Sequence, residues 1–168
     1  MIVESFHLEP GPIIPNNPRL PVILYREALE PQPVLAAEFE RAFSNHGWHG
    51  IWHNGIFDYH HYHSRAHEVL GIARGHAHVI LGGPTGREFT LAAGDCVLLP
   101  AGTGHCRLSA SPDYLVIGAY PPGQSADMQT GAADEAILAA IRNCPRPSHD
   151  PVDGGDGAIA NLWQAANP

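Results

Sequence analysis

Twelve histidines occur in this 168-residue chain, and nine of them fall between His46 and His78. Within FDYHHYHSRAHEVLGIARG, His61 and His63 stand two residues apart. On an extended backbone side chains alternate, so these two imidazoles share one face with Cα atoms about 6–7 Å apart. Imidazoles placed this way can bond one metal ion at about 2.0–2.1 Å each. Glu68 follows closely enough to add a carboxylate, and His105, in GDCVLLPAGTGHCRLS, is the donor that a neighbouring strand would bring. Three neutral imidazoles and one carboxylate around a divalent ion give a net charge of about +1 and leave two octahedral positions open. Open positions suit oxygen activation at Fe(II), or chelation of a substrate through two oxygens. A closed structural zinc site would use four ligands, usually with cysteines among them.

The other histidines read differently. His60 and His67 have the opposite parity to His61 and Glu68 and should face away from the ion. His46, His49, His53, His76 and His78 read as strand-face or surface residues, and HEVLG lacks the second histidine of H-E-x-x-H. Tyr59 shares parity with His61, and Arg107 shares parity with His105; both are candidates to line the same cavity. Arg107 would hold a carboxylate or phosphate through two parallel hydrogen bonds. All nine basic residues are Arg. The lack of Lys excludes Schiff-base chemistry and a P-loop lysine. A net charge of −8 argues against nucleic acid or an anionic membrane as partner.

The elements that must position these residues follow from periodicity. PVILYRE (21–27) reads as a short strand within an otherwise Pro-rich, irregular segment 1–31. From Pro33 the stripe Val34/Leu35, Phe39 and Ala42/Phe43 reads as a helix, with Gly47 as its stop. Beyond Gly47 the period becomes two. Eight short strands follow, FDYHHYH (57–63) among them, split by Gly, Pro and Asp turns. Regular short strands without helices between them mean an antiparallel barrel or sandwich. ADEAILAAIR (133–142) reads as a short helix, and the remainder as a loop-rich tail anchored by Trp163. One domain spans 1–168, with a strand and helix at 20–46, a barrel core at 47–121 and a helix and tail at 122–168. MIVESFHLEPGP has acids where a secretory signal has basic residues. Three cysteines form no C-x-x-C. A cytoplasmic location is expected.

Gly55, His61, His63, Glu68 and Gly75 meet every spacing of cupin motif one, G-x5-H-x-H-x3,4-E-x6-G. Gly94, Pro100, Gly102 and His105 follow motif two, G-x5-P-x-G-x2-H-x3-N, with Ser109 in place of its Asn. On these residues the chain resembles the cupin superfamily. PNNPRLPVILYREAL, the run from GWHG to FDYHHYHS and the DPVDGGDG tail resemble the YjlB-like subgroup. The resemblance implies an antiparallel jelly-roll barrel, with one divalent transition metal held by His61, His63, Glu68 and His105. Iron or manganese is the commonest metal in such sites, and nickel and zinc are also used. It implies a metal-dependent enzyme of the dioxygenase, isomerase or lyase class acting on a small polar or anionic molecule. The alternative is a metal-bearing binding or sensing module without catalysis. It also implies a homodimer, for which the PVILYRE strand and the Trp48/Trp52 pair offer apolar surface.

Overall fold

Alternating and continuous apolar runs account for the strands. The computed structural model describes residues 1–164, in which nine strands and three helices occur. In chain order they are β1 (Ile2–Phe6), β2 (Val22–Arg26), α1 (Leu35–Asn45), β3 (His49–Asn54), β4 (Glu68–Arg74) and β5 (His76–Leu81). There follow β6 (Arg87–Ala92), β7 (Cys96–Leu99), β8 (His105–Ala110), β9 (Leu115–Tyr120), α2 (Glu135–Asn143) and α3 (Ala158–Leu162). A six-stranded antiparallel sheet runs β1-β2-β7-β4-β9-β3, and a three-stranded one runs β6-β5-β8.

Strands β2, β4 and β7 are apolar on both faces because both faces are covered. Leu24, Leu70, Ile72, Val97 and Val116 of the larger sheet pack against Ala77, Val79, Leu81 and Leu91 of the smaller one. Behind the larger sheet, α1 lays Leu35, Phe39 and Phe43 against Tyr25, Val69, Leu98 and Ile117. Positions i, i+4 and i+8 of a helix form one stripe, which is why this segment is helical and lies where it does. The helix can come this close because residue 71 is glycine: a Cβ there would sit 2.7 Å from the Phe39 ring. Gly47 turns the chain out of α1 with φ +82°.

Several expectations need correction. Residues 57–63 form no strand; His61 makes an isolated bridge to His105, and Tyr62 makes one to Gln129. Consecutive residues bond different neighbours, so no ladder propagates. β1 lies within the segment read as irregular; none of its residues is buried, so it carries no apolar alternation. A second C-terminal helix, α3, is only five residues long, too short for a helical period to show. Its position is fixed by buried Asp150, whose carboxylate accepts the Tyr25 hydroxyl at 2.5 Å and the Ile159 amide at 3.3 Å. Trp163 is buried and its indole N–H donates to the Pro21 carbonyl at 2.9 Å, the anchor expected of it. Most of the surface expected for dimerisation is covered: β2 lies between β1 and β7, and Trp48 is buried behind the larger sheet, while Trp52 is part-buried. Among the described residues no helix is long and apolar enough to cross a membrane.

Candidate metal centre

Glu68 opens β4 with the same parity as Leu70 and Ile72, so its carboxylate points between the two sheets. His105 opens β8 opposite Leu81, again on the inner face. His61 is tied to His105 through two backbone hydrogen bonds, and the His63 carbonyl accepts the Gly102 amide at 2.7 Å. The two motifs are thus stitched together by main chain.

His61, His63 and His105 are buried, and each offers a ring nitrogen within 4.8 Å of the others. Each Nδ1–H has a carbonyl acceptor. His61 donates to Tyr59 at 3.0 Å, His105 donates to Thr103 at 3.0 Å, and His63 donates to Asp127. These bonds fix the tautomer and leave the three Nε2 lone pairs free for an ion. Glu68 Oε1 lies 3.4 Å from His63 Nε2 and 3.3 Å from His105 Nε2. Ligands that share an ion at about 2.1 Å sit about 3.0–3.4 Å apart. The residues present therefore fit a divalent cation.

The electrostatics agree. Burial alone would raise the Glu68 carboxyl, but His105 and His63, whose rings face it, bring it well below the carboxylate range. Burial and neighbouring His105 push His61 down to about 4, so it is a neutral imidazole at pH 7. Burial pulls His63 down too, yet Glu68 and the Asp127 carbonyl more than reverse this. A carboxylate facing two imidazoles through their Nε2 atoms needs a cation between them, either protons or a metal.

A cavity of about 360 Å³ opens onto these groups, walled by Trp52, Ile56, Phe57, Leu70, Tyr120 and Met128. Burial and the nearby Glu68 carboxylate raise the Tyr120 hydroxyl, and the Trp52 indole donates to it at 3.0 Å. Tyr120 was within reach of the sequence: Val116, Gly118 and Tyr120 alternate onto the inner face of β9. Asp127 was not, because it acts on His63 through its carbonyl.

The remaining candidates lie elsewhere. His67 is fully buried with Nδ1 accepting the Ala101 amide at 2.9 Å, facing away as its parity requires. Tyr59 is 43% exposed and stacks on Phe57, outside the cavity lining. Arg107 has the expected inward parity, opposite Val79, but its long side chain folds sideways and donates Nε–H to the Ile56 carbonyl at 3.1 Å. It lines an adjoining cavity that shares only the 53–57 wall with this one.

No family model matches the sequence. The chain is 40% identical over 152 residues to YjlB of Bacillus subtilis (strain 168), a protein described as uncharacterised, covering 89% of this chain and 90% of that one. The chain belongs to the YjlB family. Two solved structures show a distant similarity to the chain. One is dTDP-4-dehydrorhamnose 3,5-epimerase from Bacillus anthracis str. Ames, with TDP and PPi bound. It is 14% identical with a TM-score of 0.39, covering 81% of this chain and 88% of that one. The other is the dTDP-6-deoxy-D-glucose-3,5-epimerase RmlC from Legionella pneumophila Philadelphia 1, in complex with dTDP-4-keto-L-rhamnose. It is 14% identical with a TM-score of 0.32, covering 82% of each chain.

Proposed function

We propose that the protein is a metal-dependent cupin of the YjlB-like subgroup, an enzyme acting on a small polar or anionic molecule inside a jelly-roll barrel. The observation that carries this reading is the grouping of three carbonyl-anchored imidazoles beside an open cavity, with the Glu68 carboxylate 3.4 Å from His63 and 3.3 Å from His105. His61, His63, Glu68 and His105 would hold the ion, iron or manganese in the first instance, with nickel or zinc as the other candidates. A bound ion supplies Lewis-acid polarisation or oxygen activation at its open positions, the chemistry of a dioxygenase, isomerase or lyase. The chain's own part is to fix the ligand orientations through Tyr59, Asp127 and Thr103 carbonyls, to exclude water with Trp52, Ile56 and Leu70, and to present the Tyr120 hydroxyl as a hydrogen-bond donor. A substrate long enough to cross the 53–57 wall would meet Arg107 in the adjoining cavity.

Cobalt substitution tests the open positions. Small carboxylates added to the Co(II) protein should shift its visible bands saturably, whereas a closed four-ligand site would show no change. Ligand binding without turnover of any bound compound would favour the sensing module instead. We further propose a homodimer, formed through the exposed edge of β1 with Met1, Ile2 and Val3. A monomeric mass by light scattering would refute it.

A further inference from the structure

Arg19, Arg142 and Arg146, three of the nine arginines, line a single cavity of about 590 Å³ that shares no residue with the metal centre. Arg19 comes from the Pro-rich segment before β2, Arg142 from the last turn of α2, and Arg146 from the loop that follows. Among the described residues no Asp or Glu lines this cavity. That is unusual in a chain where 17 acids outnumber the basic residues.

Among the described residues, two of the guanidinium groups are held in place without being neutralised. Arg19 Nη2 donates to the Arg142 carbonyl at 2.8 Å, and Arg146 Nη1 donates to the Trp163 carbonyl. Each bond uses one N–H of a group that carries several, and a carbonyl contributes no formal charge. Arg142 has an acidic neighbour, Glu135, at 3.9 Å, but that side chain is 88% exposed and screened by water. A buried thiol, Cys144, and the amides of Asn17 and Gln164 complete the polar lining. The volume falls in the range of small-molecule sites, roughly 300–1,000 Å³.

We infer that this cavity is a second, metal-independent binding site for a compact, multiply charged anion, a phosphate ester or a polycarboxylate, held by Arg19, Arg142 and Arg146. Guanidinium groups favour such ligands because their parallel N–H donors match two oxygens at once. Pinning two of them to backbone carbonyls lowers the entropy lost on binding. This inference does not rest on the metal assignment.

Isothermal titration calorimetry on the full chain tests it, after chelator treatment and desalting into a phosphate-free buffer of low ionic strength. Inorganic pyrophosphate and citrate are the two probes, titrated separately. At least one should bind saturably, one per chain, and weaken as salt is added. A preference for pyrophosphate points to phosphate esters, and a preference for citrate points to polycarboxylates. Arg142→Gln and Arg146→Gln should each lower the affinity about tenfold, and His63→Ala should leave it unchanged. Arg146→Gln removes a tie to Trp163 and can loosen α3; Arg142→Gln makes only a screened contact and carries the test if the other variant does not fold. Absence of saturable heat at millimolar probe, full affinity in a folded Arg142→Gln variant, or loss of binding in His63→Ala would each overturn the inference.

Discussion

Replacing Asp127 by alanine probes how the metal centre is held from outside the two motifs. The Asp127 carboxylate accepts Ser64 N at 2.8 Å, Ser64 Oγ at 2.5 Å, Arg65 N at 3.0 Å and Gln129 Nε2 at 3.1 Å. Its carbonyl takes the Nδ1 proton of His63. Each hydrogen bond contributes about 0.5–1.5 kcal/mol net, and water can replace part of the set at this half-buried position, so Asp127→Ala should cost about 2–3 kcal/mol. The carbonyl survives the substitution, but the turn that aims it loosens. Metal affinity should fall about 10–100-fold, the usual cost of losing a group that orients a ligand. Partial burial opposes ionisation of Asp127, yet bonds from Ser64, Gln129 and the Arg65 amide bring it down to about 2. A carboxylate depressed in the folded state adds stability above its unfolded pKa, near 3.9 for aspartate, and loses it as pH falls through the folded value. The gap between parent and variant should therefore hold from neutral pH to about 4 and close between about 4 and 2. Urea unfolding across that range, with a competitive metal titration at pH 7, checks both parts. A variant within about 0.5 kcal/mol of the parent, with unchanged metal affinity, would refute the reasoning.

Gly118→Ala should cost about 1–3 kcal/mol, because its Cβ would sit 2.0 Å from Trp52 Cε2 and force the indole off the Tyr120 hydroxyl. In a Trp52→Ala background the penalty should largely vanish, and an equal penalty in both backgrounds by urea unfolding would show that the clash is not the cause. Removing the metal should lower the melting temperature: a ligand at a hundredfold excess over its Kd adds about 2.7 kcal/mol, or about 5–10 °C for a chain of this size. A melting curve that does not move, once metal removal is confirmed, counts against a site formed only in the folded state.

The sequence carried most of the inner machinery because parity and spacing are local. Glu68 and His105 lie on strands whose two-residue period and register turn them inward, whereas His61 and His63 come beside His105 through an isolated bridge and not through a strand. Helix α1 was legible from one stripe ending at a glycine. What was not legible depends on partners distant in sequence. Asp127 reaches His63 through a carbonyl, which any residue type possesses. Arg107 has the right parity but a side chain long enough to choose Ile56 instead of the cavity. β1 exists because β2 offers an edge, and its own residues are too exposed to show a pattern. The covering of Trp48, which removed one expected dimer surface, comes from α1 and from His149, about a hundred residues away, whose carbonyl accepts the indole N–H.

Metal content per chain tests the central claim most directly, measured by plasma mass spectrometry on protein purified without a histidine tag or added nickel. The account predicts about one divalent transition metal per chain in the parent, near-complete loss in a folded His63→Ala variant, and retention in His60→Ala, which is not one of the three grouped imidazoles. Equal metal in parent and His63→Ala, or loss in His60→Ala alone, would contradict it.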